Sequence, residues 1–346
     1  MTISLESIPR FTAAEALAAA AQHYGLTGSA APLPSERDQN FLIVQPGDRK
    51  FVLKIANAGD AAELLDFQNR AMRYVEASPV ECRVQRVVTS LQGLDIASIP
   101  DPRTGTDHCL RLMTWIDGEV LACSTSRGPT LYKSIGASMA KIDESLSGFS
   151  HPGMRRVLQW DLRRADMAQE HTALLPRAGR ACVERLFCEW AEIDWSVLRH
   201  SVIHGDANDH NVIAGEGRMV GLLDFGDSLY TATVCDLAIA LAYTMLGDRE
   251  PLSVAAHMIE SYHRHYPLTD AEQRALFPLI LTRLSMSVCY SAHNRARNPG
   301  DPYQVVSETA AWDILRVLEQ RSGLDTQNLV RAACAAGTDV AAGRNQ

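Results

Sequence analysis

The sequence predicts an α+β protein in two lobes, a small N-terminal lobe built on an antiparallel sheet and a larger, mainly helical C-terminal lobe. Three observations predict it. The first ~115 residues carry short alternating or apolar runs separated by turn signals. The texture turns helical after "DGEV" at 117–120. One compact strand–loop–strand unit, residues 201–226, is embedded in the helical half. The expected division is a first lobe over 1–113, a connector over 114–118 and a second lobe over 119–346.

Element by element, "FTAAEALAAAAQHYGLTG" opens with a helix that Thr12 caps, with Glu15 three residues on and Gly25 to end it. Phe41–Val44 and Lys50–Ile55 flank the turn signal "QPGD" and predict a β-hairpin. Leu64, Phe67, Ala71 and Tyr74 recur at helical spacing in the segment that follows. "RVQRVV", "LDIASI" and "HCLRLMTWI" complete the strands of the first lobe. Beyond the connector, Leu131–Ser145 is helical, residues 160–200 are helix-rich, and residues 251–266, 270–295 and 307–321 are helical by periodicity. Residues 291–303 suggest a polar loop, and the Ala-rich tail after about Asn328 is expected to fray.

Composition narrows the function. The 346 residues are 46% hydrophobic and 21% charged, as in ordinary globular proteins with ample core. A net charge of −8 argues against non-specific binding to nucleic acid or to anionic membrane. The eight cysteines form no C-x-x-C pair and have no His at zinc-finger spacing, so buried thiols in a reducing compartment are expected. No basic-then-apolar leader opens the chain, and Leu237–Gly247 is far short of bilayer length. A cytoplasmic protein is the expectation.

The chemistry concentrates in "SVIHGDANDHNVI", residues 201–213, where Asp206, Asn208, Asp209 and Asn211 sit between apolar ends. A solvated turn has no need of such flanks. A rigid loop that points oxygens at a cation does. "NVIA", the turn "GEGR" and "MVGLLDFGD" form a hairpin that brings Asn211 and Asp224 near the same end of a two-stranded ribbon. Their oxygens can meet one Mg²⁺, a hard cation that keeps phosphate and water in its shell. Asp206 lies beside that metal, placed to accept a proton from an attacking hydroxyl or to orient it.

His204, Gly205, Asp206, then Asn211, then Asp224-Phe225-Gly226 closely match the kinase signature of catalytic loop and metal-binding triplet. Gly205 stands where protein kinases carry Arg, and with Gly there the motif resembles the small-molecule branch of aminoglycoside phosphotransferases and choline kinases. The resemblance runs from about Pro34 to Arg321. The wording of "SERDQNF", "FVLKIAN", "LDFQNRAMRYV", "HGDANDHNV" and "LLDFGDSLYTATVCDLAIALAY" is most similar to hydroxylysine kinases and to the kinase modules joined to class III aminotransferases.

The resemblance implies a protein-kinase-like fold and transfer of the γ-phosphate of ATP or GTP, with Mg²⁺, to the hydroxyl of an amine-bearing alcohol or hydroxyamino acid. It gives Asp206 the catalytic role, and the metal to Asn211 and Asp224. Lys54, otherwise an expensive charge in the apolar run "KFVLKI", becomes the phosphate clamp. Its expected partner is Asp66, with Glu63 the other candidate. Backbone groups of Thr114 and Ile116 take the base, so ATP and GTP are not distinguished. Asp236 and Asp227 are expected to be structural and Phe225 a core residue. Asp209 is the candidate contact to a substrate ammonium, with Asp161 and Glu308 weaker ones. "SERDQNF", residues 35–41, stands where protein kinases place a Gly-rich phosphate loop but holds no glycine. An aminoglycoside kinase and a non-catalytic nucleotide-binding scaffold are the alternatives.

Overall fold

The structure, a computed structural model, describes residues 8–35, 37–297, 308–319 and 323–343. They divide into two compact units. The first comprises Met1–Ser78, Arg83–Asp117 and His151–Met154, and the second Pro79–Cys82, Gly118–Ser150 and Arg155–Gln346.

In the first unit the chain runs α1 (Ala13–Tyr24), β1 (Ser29–Leu33), β2 (Gln39–Val44), β3 (Lys50–Ile55), α2 (Ala62–Glu76), β4 (Arg83–Val84), β5 (Val87–Val88), β6 (Ala97–Pro100) and β7 (Asp107–Thr114). The sheet order is β1-β2-β3-β7-β5, with β6 also on β7, and every one of these pairings is antiparallel. The capping box of α1 forms as its sequence predicts: the Glu15 N–H donates to Thr12 Oγ1 at 3.2 Å and the Thr12 N–H to Glu15 Oε2 at 2.6 Å.

The period of two in the strands sorts the residues of the sheet. Phe41, Ile43, Phe51, Leu53, Ile55, Leu110 and Leu112 join Ala16, Ala19, Ala20 and Tyr24 of α1 in one core. Lys54 alternates with those strand residues and so belongs to the opposite face, where it is paired in register with Asn40 on one side and Arg111 on the other. Arg111 ties that face to α2 by donating to Asn69 Oδ1 at 3.0 Å. Strand β1 has no strand signal in "SAAPL". It forms because it pairs only with β2, and an edge tolerates Pro32.

The second unit contains β8 (Glu119–Val120), α3 (Pro129–Leu146), α4 (Asp166–Gln169), α5 (Arg177–Ala191), β9 (His200–Ile203), β10 (Val212–Gly215), β11 (Arg218–Leu222), β12 (Leu229–Ala232), α6 (Val234–Thr244), α7 (Pro251–His265), α8 (Asp270–Arg297), α9 (Glu308–Glu319) and α10 (Gly323–Gly343). Strands β10 and β11 form the expected hairpin, with β8 along β10, and β9 pairs with β12. Helix α6 is buried on all sides because α3, α7 and α8 pack around it. That explains its lack of a polar face.

Two expectations change. After Asn328 the chain continues α10 through Gly343, the last described residue, with Val330, Ala333 and Cys334 buried and the helix packed on α7 and α8. Alanine at helical spacing let the helix lie close, so the Ala-rich composition marked contact rather than disorder. Residues 160–200 are helix-rich as expected, with α4 and α5 among short 3₁₀ turns. The polar stretch 291–303 is helical through Arg297, and its remainder lies outside the described residues.

Candidate active site

The loop between β9 and β10 is fastened from three sides. Beneath it, Asp236 of α6 is fully buried and accepts two backbone N–H groups, from His204 at 3.0 Å and from Gly205 at 2.8 Å. Beside it, His204 is also fully buried, packs edge-on against Phe225, and shares a 2.9 Å hydrogen bond with the Leu223 carbonyl through Nε2. Its Nδ1 accepts the Asp206 N–H at 3.2 Å, so Nε2 carries the proton. Gly205 itself has φ +81°, and a Cβ there would stand 2.5 Å from the Asp227 carbonyl oxygen. Only glycine fits that left-handed, closely packed position.

This scaffold presents Asp206, which is held at both carboxylate oxygens. Oδ2 accepts from Asn208 Nδ2 at 3.0 Å and from Asn211 Nδ2 at 2.9 Å. Oδ1 accepts from Arg283 Nη2 at 3.1 Å. Burial pushes the Asp206 carboxyl up to about 8; Arg283 opposes that shift and the Asp227 carboxylate adds to it. A carboxyl raised to that range can both bind and release a proton near neutral pH.

Asn211 Nδ2 also donates to the Asp206 carbonyl at 2.9 Å. With both amide protons engaged, its Oδ1 is turned away from Asp206 and is left as an acceptor. The Leu223 N–H donates to the Asn211 carbonyl at 2.9 Å, which sets residue 224 beside 211 at the same end of the ribbon. Asp224 then turns into the left-handed region, φ 56° and ψ 86°, and its carboxylate accepts the Gly226 N–H at 3.0 Å. A non-glycine residue in that conformation is typical of a side chain aimed by function. Among the described residues no group of three His, Cys, Asp or Glu side chains stands ready to hold a metal. An amide oxygen and a carboxylate make a sparse set of hard donors, the kind that leaves Mg²⁺ room for phosphate and water.

Asp209, the substrate candidate, is buried, and its Oδ1 has no hydrogen-bond partner among the described residues. Its carboxyl is raised by burial, with His210 and Arg127 opposing. The weaker candidates are occupied. Asp161 accepts from the Arg163 N–H and from Thr231 Oγ1, both at 3.0 Å, and Glu308 pairs with Arg295.

In the first unit Lys54 is buried on β3. Asp66 receives Arg70 Nε at 2.8 Å and His151 Nε2 at 3.1 Å. Although burial acts the other way, those hydrogen bonds hold its carboxyl below the ordinary range. The Thr114 N–H donates to the Arg86 carbonyl at 2.9 Å, and the Thr114 carbonyl accepts a long 3.5 Å bond from Gln85. Ile116 is buried. In the segment 35–41, Arg37 pairs with Asp60 at 2.7 Å and Asp38 accepts the Asn57 N–H at 3.1 Å.

Sequence reasoning did not find Asn208 and Arg283 as partners of Asp206. Asn208 was in view but carried no distinguishing signal. Arg283 did carry one: it is a cation inside the apolar helix run "LILTRLSMSV", and a charge there needs a partner. Arg283 is 2% exposed, donates to the Trp160 carbonyl at 3.0 Å, and lies over the rings of Trp160 and Tyr243.

Residues 29–275 match the Phosphotransferase enzyme family. Hydroxylysine kinase from Mus musculus is 29% identical over 342 aligned positions that cover 90% of each chain. Among solved structures, an amicoumacin kinase in complex with AMP-PNP, Ca²⁺ and Ami superposes with a TM-score of 0.66 at 16% identity, covering 87% of this chain and 92% of that one. A microcompartment-associated aminopropanol kinase gives 0.61 at 15% identity, over 92% and 95%.

Proposed function

Since the chain belongs to the Phosphotransferase enzyme family, we propose that it is a small-molecule kinase that transfers the terminal phosphoryl group of ATP or GTP to a hydroxyl of an amino alcohol or hydroxyamino acid. The observation that carries this reading is the state of Asp206. Its carboxylate is held by two amides and a buried guanidinium, on a loop fixed through Asp236 and His204. That is how a group is positioned rather than how a surface acid is left. The match to hydroxylysine kinases over nine-tenths of the chain supports the amine-bearing acceptor.

Asp206 accepts the hydrogen bond of the substrate hydroxyl and aims its oxygen at the γ-phosphorus. As the new O–P bond forms, the bond from that phosphorus to the bridging oxygen breaks and the nucleoside diphosphate departs. The hydroxyl proton passes to Asp206 and from there to water. The protein's part is orientation and charge neutralisation. Mg²⁺ is the cation that Asn211 Oδ1 and the Asp224 carboxylate would hold, and it supplies neutralisation of phosphate charge.

Lys54 grips the nucleotide phosphates as a point charge. Backbone groups of Thr114 and Ile116 take the base. Asp66, whose Oδ2 receives both Arg70 and His151, is the carboxylate partner of Lys54 in this reading. Asp209 offers a buried, donor-free oxygen to the substrate ammonium. On this assignment Asp209→Asn raises KM for the acceptor and leaves KM for the nucleotide unchanged.

A screen of hydroxylated amines for nucleotide consumption, run with ATP and with GTP, tests the reading. With the accepted substrate, Asp206→Ala should lower turnover by roughly 10²–10⁴-fold while nucleotide binding is retained. Near-normal turnover in that variant would overturn the role of Asp206, and no transfer to any such acceptor would overturn the substrate class.

A further inference from the structure

Asp236 anchors the loop that carries Asp206, and a second carboxylate stands against it. Asp143 of α3 is fully buried, as Asp236 is, and the two carboxyls are close enough for Asp236 to push Asp143 up. Two neighbouring buried carboxyls strongly disfavour both carrying charge. Their surroundings assign the proton. Asp236 receives two N–H donors, one on each oxygen, and is the better anion. Asp143 receives one donor, Tyr262 Oη of α7, at 2.6 Å on Oδ2. Its Oδ1 is buried with no donor among the described residues.

We propose that Asp143 is a positioning residue that keeps a proton at neutral pH and donates it to Asp236, locking Asp236 as the acceptor for the His204 and Gly205 N–H groups. A proton on the oxygen that Tyr262 does not use satisfies that oxygen and removes the repulsion in one step. Burial and the adjacent Asp236 push the Asp143 carboxyl well above its ordinary range, in keeping with the geometry. The titratable groups around it are Asp236 and Cys235 from α6, Tyr262 and Tyr266 from α7, and Glu272 from α8. The charge of Glu272 is engaged by Arg199 at 2.6 Å. None of these offers Asp143 a cation.

The test compares neutral isosteres at the two positions. Asp143→Asn keeps an N–H for Asp236 and an oxygen for Tyr262, so kcat and KM should stay within about threefold of wild type, a difference far smaller than loop misplacement produces. Asp236→Asn has one acceptor for two N–H groups, and kcat should fall by roughly 10²-fold, the scale of a 1 Å misplacement. Equal damage at the two positions would overturn the assignment.

This activity arm rests on the proposed phosphotransfer, so a second arm does not use activity. The unfolded chain ionises Asp143 near 3.8 while the folded chain keeps its proton. Wild type should therefore lose thermal stability relative to Asp143→Asn as pH rises from about 3 to about 7. At about pH 9, where Asp206 has lost most of its proton, the infrared carbonyl band of a protonated acid should be present in wild type and missing from Asp143→Asn. Should that variant not fold, the band in wild type must persist to about pH 9, beyond the range to which burial moves Asp206. No band, or a stability difference that ignores pH, overturns the proposal even in an active enzyme. An inactive wild type that shows both leaves the proton on Asp143 and removes only the kinase reading.

Discussion

At the scale of single residues, Arg283 illustrates a charge whose purpose is another charge. It is 2% exposed, and although the aromatic faces on two sides attract a cation, burying the charge is costly without Asp206 and the Trp160 carbonyl. Removing it leaves a buried carboxylate uncompensated. Arg283→Met should lower stability by up to about 3–5 kcal/mol and turnover with it. Adding Asp206→Asn to that variant should recover part of the stability, since the orphaned charge is then gone. A double-mutant cycle in urea measures the coupling, and strict additivity would show that the pair does not interact. The same scale shows what was legible. His204, Asp206, Asn211 and Asp224 were readable because their types and spacing state a chemistry. Asn208 and Arg283 were not, since their roles depend on which side chain the fold brings against Asp206. Asp143 is the extreme case: nothing in "KIDESL" distinguishes a proton-sharing acid from a solvated one.

Among the elements, helix packing rather than helix propensity fixes the floor of the site. Helices α3 and α7 approach so closely at Gly136 that a Cβ there would sit 2.2 Å from the Met258 carbonyl oxygen. Seven residues further along α3 lies Asp143, whose partner Tyr262 is one turn beyond Met258 on α7. Gly136→Ala should therefore do two things. It should destabilise the second unit by about 1–3 kcal/mol through overpacking, and it should lower turnover by disturbing the Tyr262–Asp143–Asp236 chain. Thermal melting together with a kinetic assay checks both, and a variant as stable and active as wild type would show that the helices can part at no expense. Elements whose pattern repeats were readable: α1, α2, the β2–β3 hairpin, α3 and α7 through α9 lie close to where the sequence pattern put them. Strand β1 and helix α10 were not, because each is held by a neighbour. An edge pairing accepts Ala and Pro, and an Ala-rich run looks unstructured until a helix is seen against it.

For the whole molecule, a net charge of −8 and a sparse donor set make the divalent ion a term in stability as well as in chemistry. A ligand that binds only the folded chain stabilises it by RT ln(1 + [L]/Kd), about 2.7 kcal/mol at a hundred times Kd. Nucleotide alone should raise the melting temperature modestly, since its phosphates meet the carboxylates of Asp224 and Asp206 unshielded. Nucleotide with Mg²⁺ should raise it further, and a chelator should remove that increment. In Asp224→Ala the repulsion is smaller and the metal lacks a ligand. The shift with nucleotide alone should therefore persist or grow while the extra shift from Mg²⁺ disappears. The same melts run with ATP and with GTP give the donor preference, of which the proposed recognition through the backbone of Thr114 and Ile116 leaves no side-chain trace in the sequence. A full magnesium increment in Asp224→Ala, measured at saturating nucleotide, would remove that residue from the metal site and leave Asn211 without its partner.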